Sequence, residues 1–167
     1  YEGSSLNQIC ARGNLSKGLL YHYYKNKDAL YLSCVHVLFD DMTRYLRSEI
    51  NLSTVTVEQY FTVRMRFFRQ YPLHRKLFSD LLLYPQNRLQ QDIGQCRAEF
   101  DAFNNAALQS VLQKEPLRSQ LSMEEALLQF RSFVHFLGIY IREDAASDAE
   151  QKANDLLQTM LYGLLAR

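Results

Sequence analysis

Apolar residues recur along most of the chain at intervals of three and four positions, the spacing of one face of an α-helix. Between Leu89 and Ala107, for example, the apolar positions advance by steps of four, three, four, three and four. No segment shows the strict alternation that a half-buried strand requires. The pattern predicts an all-α fold with helices over residues 5–12, 17–24, 27–49, 56–71, 73–83, 86–113, 123–143 and 148–166.

Local signals define the ends of these helices. A serine or threonine followed three residues later by Gln or Glu predicts a capping box, in which each residue satisfies a backbone N–H of the other. The proline at Tyr71-Pro72 and that at Tyr84-Pro85 predict stops, because proline disfavours helix in the residue before it. The predicted boxes are Ser5-Leu-Asn-Gln8, Thr56-Val-Glu-Gln59, Ser122-Met-Glu-Glu125 and Ser147-Asp-Ala-Glu150.

The first two helices are short and lie on either side of a sharp turn. Gly13 and Asn14 tolerate positive φ, and Ser16 is a helix cap. Leu20 and Tyr24, four positions apart, are predicted to face inward. Basic, small and aromatic residues are left on the outer face of the second helix, as in a helix that enters the DNA major groove. These residues are Lys17, Gly18, Leu19, Tyr21 and His22.

The run Ser-Lys-Gly-Leu-Leu-Tyr-His-Tyr-Tyr-Lys-Asn-Lys, residues 16–27, resembles the TetR (tetracycline-repressor-like) family of bacterial regulators. The resemblance implies a DNA-binding transcriptional regulator, most often a repressor that binds a palindromic operator as a dimer and releases it on binding a small molecule. Position by position, it implies base contacts from Lys17, Gly18 and Leu19. It further implies contacts to bases, thymine methyls or phosphates from Tyr21 and His22, and phosphate contacts from Tyr23, Lys27 and Ser5.

For Tyr21 and His22 the alternative is that they merely fill the small helical core. One departure from the family concerns the N-terminus, because a further helix precedes the Tyr-Glu-Gly turn in the family, whereas this sequence begins at Tyr1. We expect the native N-terminus to lie upstream. The alternative function is a helical ligand-binding or protein-interaction dimer with a non-functional DNA reader.

The helix that begins at Lys27 continues well past the motif and is predicted to connect two domains. We expect a helix-turn-helix DNA-binding domain over residues 1–48 and a larger helical ligand-binding and dimerisation domain over residues 49–167. A stiff helix shared by both domains transmits displacement better than a loop does.

The two last helices, near residues 123–143 and 148–166, carry more apolar surface than one monomer easily covers. The resemblance implies that they pair with the same helices of a second copy, forming a homodimer through a four-helix interface. The alternative is that this surface packs within the monomer.

Aromatic residues crowd the middle of the chain and predict an apolar cavity for an unknown small-molecule effector. Phe68, Phe100, Phe103 and Phe133 are the candidate lining residues, with ordinary core packing as the alternative. His135 is a candidate hydrogen-bond partner for the ligand, although a lone histidine in an apolar run is commonly a satisfied core residue.

Arg64 lies on an otherwise apolar helical stripe that includes Tyr60 and Phe68. An unpaired buried charge is expensive, so this guanidinium requires a partner. One interpretation is a counter-ion for an anionic or carbonyl-bearing ligand. The other is an internal salt bridge, for which Asp41 and Asp80 are the natural candidates.

The net charge is only +1, so any DNA-binding charge must be local. Basic residues do outnumber acidic ones around the motif. The sequence contains no nucleophile elbow, phosphate-binding loop or metal-spaced set of histidines and carboxylates, and we expect no enzymatic activity, cofactor or metal.

Three widely spaced cysteines, Cys10, Cys34 and Cys96, each fall on an apolar helical pattern. We expect reduced core thiols and a cytoplasmic protein. There is no signal peptide, and the longest uncharged apolar run, residues 133–141, is too short to cross a bilayer, so no membrane partner is expected.

Overall fold

The computed structural model describes residues 5–143 and 149–164. Within these ranges the chain forms α-helices and no strands, which confirms the predicted all-α class. The predicted start at residue 86 is wrong, because a short 3₁₀ turn at Asn87–Leu89 precedes the α-helix there. The helices are α1 (Leu6–Gly13), α2 (Lys17–Tyr23), α3 (Lys27–Glu49), α4 (Val57–Gln70), α5 (Pro72–Leu83), α6 (Gln90–Leu112), α7 (Met123–Glu143) and α8 (Ala149–Leu164).

Side-chain caps account for where several helices begin. The hydroxyl of Ser5 accepts a hydrogen bond from the Gln8 N–H at 3.2 Å, and the Gln8 side-chain oxygen accepts one from the Ser5 N–H at 2.8 Å. The Thr56 hydroxyl caps α4 by accepting from the Gln59 N–H at 3.2 Å, without the return bond of the predicted box. Ser122 and Glu125 also form their predicted box. The box predicted at Ser147 lies outside the described residues.

Two hydrophobic clusters organise the described chain. The small one joins α1, α2 and the start of α3 through buried Leu6, Cys10 and Leu20, against which Leu30 packs. The large one joins α3 to the later helices. Its α3 members are Val35, Leu38, Phe39, Met42 and Leu46.

Helix α3 therefore contributes to both clusters. Its first turns hold the two short helices, and its remaining turns are built into the main core. The long connector helix predicted from the sequence is present, extending from Lys27 to Glu49. The domain boundary near residue 48 remains a prediction.

The cysteine prediction is wrong at one position. Cys10 is buried and Cys96 is half-buried, but Cys34 is exposed. Val37, one turn further along α3, is also exposed, so both residues lie on the face of the helix that turns away from the core. No helix in the described part of the chain is long and apolar enough to span a membrane.

Candidate nucleic-acid interface and internal cavity

The turn between α1 and α2 depends on two small residues in different ways. Asn14 adopts a left-handed conformation, with φ 50° and ψ 40°, which asparagine tolerates better than most residues. At Gly13 a Cβ atom would lie only 3.2 Å from the Leu15 side chain. Asn14 thus reverses the chain, whereas Gly13 leaves room for Leu15 to fold back.

Helix α2 is anchored by one side chain and exposes most of the others. Leu20 is buried at 6% exposure, whereas Leu19 is 51%, Tyr21 50% and Tyr23 69% exposed. Lys17, Gly18 and His22 are also exposed. The small core therefore leaves half of Tyr21 in solvent, and the exposure of His22 also disagrees with a core-filling role.

Tyr24, the residue after α2, behaves differently from its neighbours. It is half-buried, and its hydroxyl lies 3.5 Å from the Ser33 Oγ on α3. The ring of Tyr23, by contrast, meets His22 edge-on at 5.2 Å between centroids. Tyr24 thus ties α2 to α3, while His22 and Tyr23 form an exposed aromatic pair.

Gly18 lies inside α2, where the fold has no need of a glycine. The nearest atom to a Cβ built there is the Ser16 Oγ at 3.7 Å, an ordinary contact. A glycine within a helix costs roughly 0.5–1 kcal/mol relative to alanine. Its presence on the exposed face fits a surface that another molecule approaches closely.

The two other predicted DNA-contacting residues lie at helix starts. Ser5 is exposed and caps α1. Lys27 is the first residue of α3 and is half-buried. The neighbouring carboxylate of Asp28 is held by Arg88, with Nη2 at 2.5 Å from Oδ1, so its charge is compensated. Positive charge therefore prevails beside α2.

A cavity of about 490 Å³ lies within the larger helical region, a volume typical of small-molecule sites. Its walls come from α3, α4, α5, α6, α7 and the connection between α5 and α6. The lining residues are Phe39, Arg64, Phe78, Leu81, Leu82, Pro85, Gln86, Gln90, Ile93, Gly94, Arg97, Phe100, Asp101, Asn104, Asn105, Arg131 and Val134.

Of the predicted ligand-binding residues, Arg64 and Phe100 line this cavity. The other three phenylalanines do not, because their rings pack elsewhere. Phe68 contacts Phe78 at 5.1 Å between centroids, and Phe133 contacts Phe61 at 5.7 Å. Phe103 lies 5.6 Å below the Arg47 guanidinium. His135 belongs to α7, but its side chain lies outside the described part of the structure.

Arg64 is buried as predicted, with 5% exposure, but neither predicted acid is its partner. Its Nη1 donates to the Tyr60 hydroxyl at 3.0 Å and to the Asn104 Oδ1 at 2.9 Å. Asp41 instead binds Arg44 at 2.5 Å and His74 at 2.9 Å. The salt-bridge prediction is therefore wrong. Sequence spacing identified the buried charge, but not Asn104, which lies 40 positions away.

Comparison with known proteins agrees with the geometry of α1 and α2. Residues 1–34 match the family model described as bacterial regulatory proteins, tetR family. Neither the curated proteins nor the solved structures contain a significant match to the chain. The matched segment, whose described part comprises α1, the turn, α2 and the first turns of α3, is similar to the N-terminal part of this family and supports a DNA-binding transcriptional regulator.

Proposed function

We propose that the protein is a ligand-responsive repressor that binds a palindromic operator as a dimer and releases it when a small molecule fills the cavity. Residues 1–48 act as the DNA reader and residues 49–167 as the ligand-binding and dimerisation domain. Catalysis, a cofactor and a metal form no part of the proposal.

The observation that carries the proposal is the double role of α3. Leu30, near its N-terminal end, packs against the core of the reader, and Phe39, about two and a half turns further on, lines the cavity. One rigid element thus contacts both sites. A ligand that displaces the Phe39 wall would tilt the helix on which α1 and α2 rest.

A second connection joins the cavity to the reader. Pro85, Gln86 and Gln90 line the cavity, and Arg88, between them in sequence, holds Asp28 in the first turn of α3. Movement of this cavity wall would be transmitted directly to the helix start that follows α2. Two routes of coupling therefore converge on α3.

The dimer is supported by apolar side chains that the monomer leaves exposed. Leu128 and Phe136, eight residues apart on α7, are 63% and 50% exposed, and Tyr162 on α8 is 61% exposed. The inward residues of α8, Leu157 and Leu161, are already buried in the monomer core. Part of the apolar surface of α8 thus packs within the monomer, and the exposed Leu128, Phe136 and Tyr162 would contact a second copy.

In such a dimer the two α2 helices would enter successive major grooves about 34–36 Å apart. A ligand-induced change of a few ångströms would cost contacts at both half-sites. The ligand shifts the balance only by its differential affinity for the two states, typically about 1–3 kcal/mol.

Fluorescence anisotropy tests the proposal. The protein, expressed from its complete reading frame, is titrated onto DNA from upstream of its own gene and onto a scrambled sequence, each at two salt concentrations. We expect tight binding to the native fragment alone. Equal, weak and strongly salt-dependent binding to both fragments would indicate only generic electrostatics and contradict the proposal.

Lys17→Ala distinguishes base reading from phosphate contact, and Lys76→Ala, at an exposed position of α5, is the matched control. Loss of the preference for native DNA in Lys17→Ala would support base reading by α2. A uniform loss on both fragments would make Lys17 a phosphate contact. If the wild-type protein bound no DNA, the alternative of a ligand-binding or protein-interaction dimer with a non-functional reader would replace the proposal.

A further inference from the structure

The guanidinium of Arg64 is surrounded by aromatic faces in the wall of the cavity. Its Cζ atom lies 5.6 Å from the ring centroids of Tyr60 and Phe100, and 6.0 Å from that of Phe78. Its hydrogen bonds to Tyr60 and Asn104 both use Nη1. Within the described residues, Nε and Nη2 are therefore left for a molecule in the cavity.

Neither protein partner supplies a negative charge to Arg64. Tyr60 is fully buried, and this burial raises the pKa of its hydroxyl above the ordinary value of about 10 even though Arg64 acts in the opposite direction. The hydroxyl therefore stays protonated, and it donates to the Asn104 Oδ1. The Asn104 amide is neutral as well. The three side chains form a connected polar group with one uncompensated positive charge.

The other charged residues in the lining of the cavity do not neutralise this positive charge. Three arginines and one aspartate line the cavity: Arg64, Arg97, Arg131 and Asp101. The aspartate is already engaged, since both of its carboxylate oxygens accept from Arg97, at 2.7 and 2.9 Å. Two positive charges are thus in excess in the described lining, and at the buried Arg64 an opposite charge is favoured more strongly than in water.

The apolar lining defines the other half of a ligand. Phe39, Phe78 and Phe100 provide ring faces, and Leu81 and Leu82 provide aliphatic surface. We propose that the cavity binds an organic carboxylate whose acid group pairs with Arg64 and whose aromatic or aliphatic body packs against these side chains. The guanidinium fork suits the two oxygens of a carboxylate. The inference rests on the proposed function in taking the cavity as the effector site.

Two acid–amide pairs test this directly, because acid and amide share a shape but differ in charge. Naphthalene-1-acetate is compared with naphthalene-1-acetamide, and octanoate with octanamide, by isothermal titration calorimetry on the full chain. We expect at least one acid to bind about tenfold tighter than its amide, or better, the ratio that corresponds to one charge-assisted hydrogen bond.

Arg64→Met locates that preference at Arg64. The methionine keeps an apolar stem but removes the charge, so the acid and its amide should bind equally. Arg66→Met is the control, because Arg66 lies two residues further on α4, is exposed and pairs with Glu49 at 3.0 Å. The control should retain the wild-type ratio.

Thermal unfolding separates a ligand-binding role from a structural one. Arg64→Met removes the desolvation cost of an uncompensated buried charge, and Tyr60 and Asn104 keep the hydrogen bond between them. Arg64→Met should therefore unfold at the wild-type temperature or above it. A lower unfolding temperature, together with an unchanged acid–amide ratio, would show that Arg64 merely joins α4 to α6 and would overturn the proposal.

Acids that bind no better than their amides would also overturn it, whether all four compounds bind equally or none binds. The operator titration tests the proposed repressor independently of these binding measurements. Release of operator DNA by a neutral compound, without acid selectivity, would overturn the carboxylate proposal and leave the repressor intact. Selective acid binding by a protein that binds no DNA would support the carboxylate site and contradict the proposed repressor function.

Discussion

A substitution at Gly18 is expected to affect folding stability and DNA affinity in opposite directions. The fold accommodates a Cβ at this position, and alanine is the better helix former, so Gly18→Ala, in the first turn of α2, should raise the free energy of unfolding by at most roughly 0.5–1 kcal/mol. Its affinity for the native DNA fragment should nevertheless fall, because the added methyl group stands where DNA approaches α2. Denaturant unfolding and anisotropy measure the two effects.

Gly94→Ala is the matched control for Gly18→Ala. Gly94 is also an exposed helical glycine, with open space around a Cβ built there, but it lies on α6, where it lines the cavity and not the DNA reader. It should gain stability similarly while leaving DNA affinity in the absence of ligand unchanged. Wild-type DNA affinity in Gly18→Ala would contradict the close approach that we infer.

Asn14 is expected to be sensitive to substitution for a backbone reason alone. Its left-handed conformation costs an ordinary L-residue roughly 1–2 kcal/mol, whereas glycine adopts it without penalty. Asn14→Ala should therefore lower the unfolding temperature and Asn14→Gly should not, as measured by circular dichroism. Equal stability of the two variants would contradict this account of the turn.

At the scale of elements, the start of α7 depends on the Ser122–Glu125 box. The Ser122 hydroxyl accepts from the Glu125 N–H at 3.2 Å, and the Glu125 carboxylate accepts from the Ser122 hydroxyl and N–H at 2.7 and 2.9 Å. Ser122→Ala removes the cap and should lower the free energy of unfolding by about 1 kcal/mol.

The same box predicts a dependence on pH. Hydrogen bonds from Ser122 lower the pKa of the Glu125 carboxyl from its ordinary value of 4.5. Because the ionised form is favoured in the folded state, its stabilisation is present above pH 4.5 and is lost as pH falls through the lowered pKa. Glu125→Gln should flatten this part of the pH–stability profile. An unchanged profile would contradict the prediction.

The Arg88–Asp28 pair tests the coupling between elements. We expect Arg88→Gln to reduce the ratio of operator affinities measured without and with the acid that binds selectively in the calorimetry, while affinity for that acid is retained. Folding should tolerate the change, because exposed ion pairs contribute only about 0–1 kcal/mol. An undiminished ratio would exclude this route of coupling.

Arg47→Gln is the control for Arg88→Gln. It breaks an ion pair between α3 and α6, with Glu99 at 2.5 Å, far along α3 from the reader. Its affinity ratio should match that of the wild type. A ratio reduced equally in both variants would show that the coupling is not specific to the first turn of α3.

At the scale of the whole molecule, the dimer prediction depends on the exposed face of α7. Light scattering should give twice the mass of one chain for the wild type. Leu128→Glu should shift the equilibrium to monomer and weaken operator binding, because a charge would be buried at the interface. Leu73→Glu, on an even more exposed leucine of α5, should remain dimeric. A dimeric Leu128→Glu would place the interface elsewhere.

Much of the secondary structure could be predicted because its signals are local. Helical spacing, the caps at Ser5 and Thr56 and the prolines after Tyr71 and Tyr84 all act within a few residues of the chain. The burial of individual side chains was predicted less reliably from the sequence. Cys34 lies on an apolar pattern, yet faces solvent, because the pattern does not say which side of α3 the other helices cover.

Of the two candidate sites, one could be predicted from local signals in the sequence and the other could not. The outer face of α2 could be predicted because one anchor, Leu20, sets the orientation of a seven-residue helix. The cavity could not, because Arg64 meets Asn104 only when α4 and α6 pack together, and three of the phenylalanines expected there pack elsewhere. Aromatic composition alone does not distinguish a core side chain from one that lines a cavity.

Local chemistry along the chain was thus sufficient for the helices, the turn at Asn14 and the exposed face of the DNA reader, since each depends on contacts between near neighbours. Tertiary packing alone decided which side chains surround the cavity, that Arg64 has neutral partners, and that α3 joins the cavity to the reader. These features depend on residues that are distant in sequence, and the spacing of apolar residues along the chain does not predict which of them come into contact.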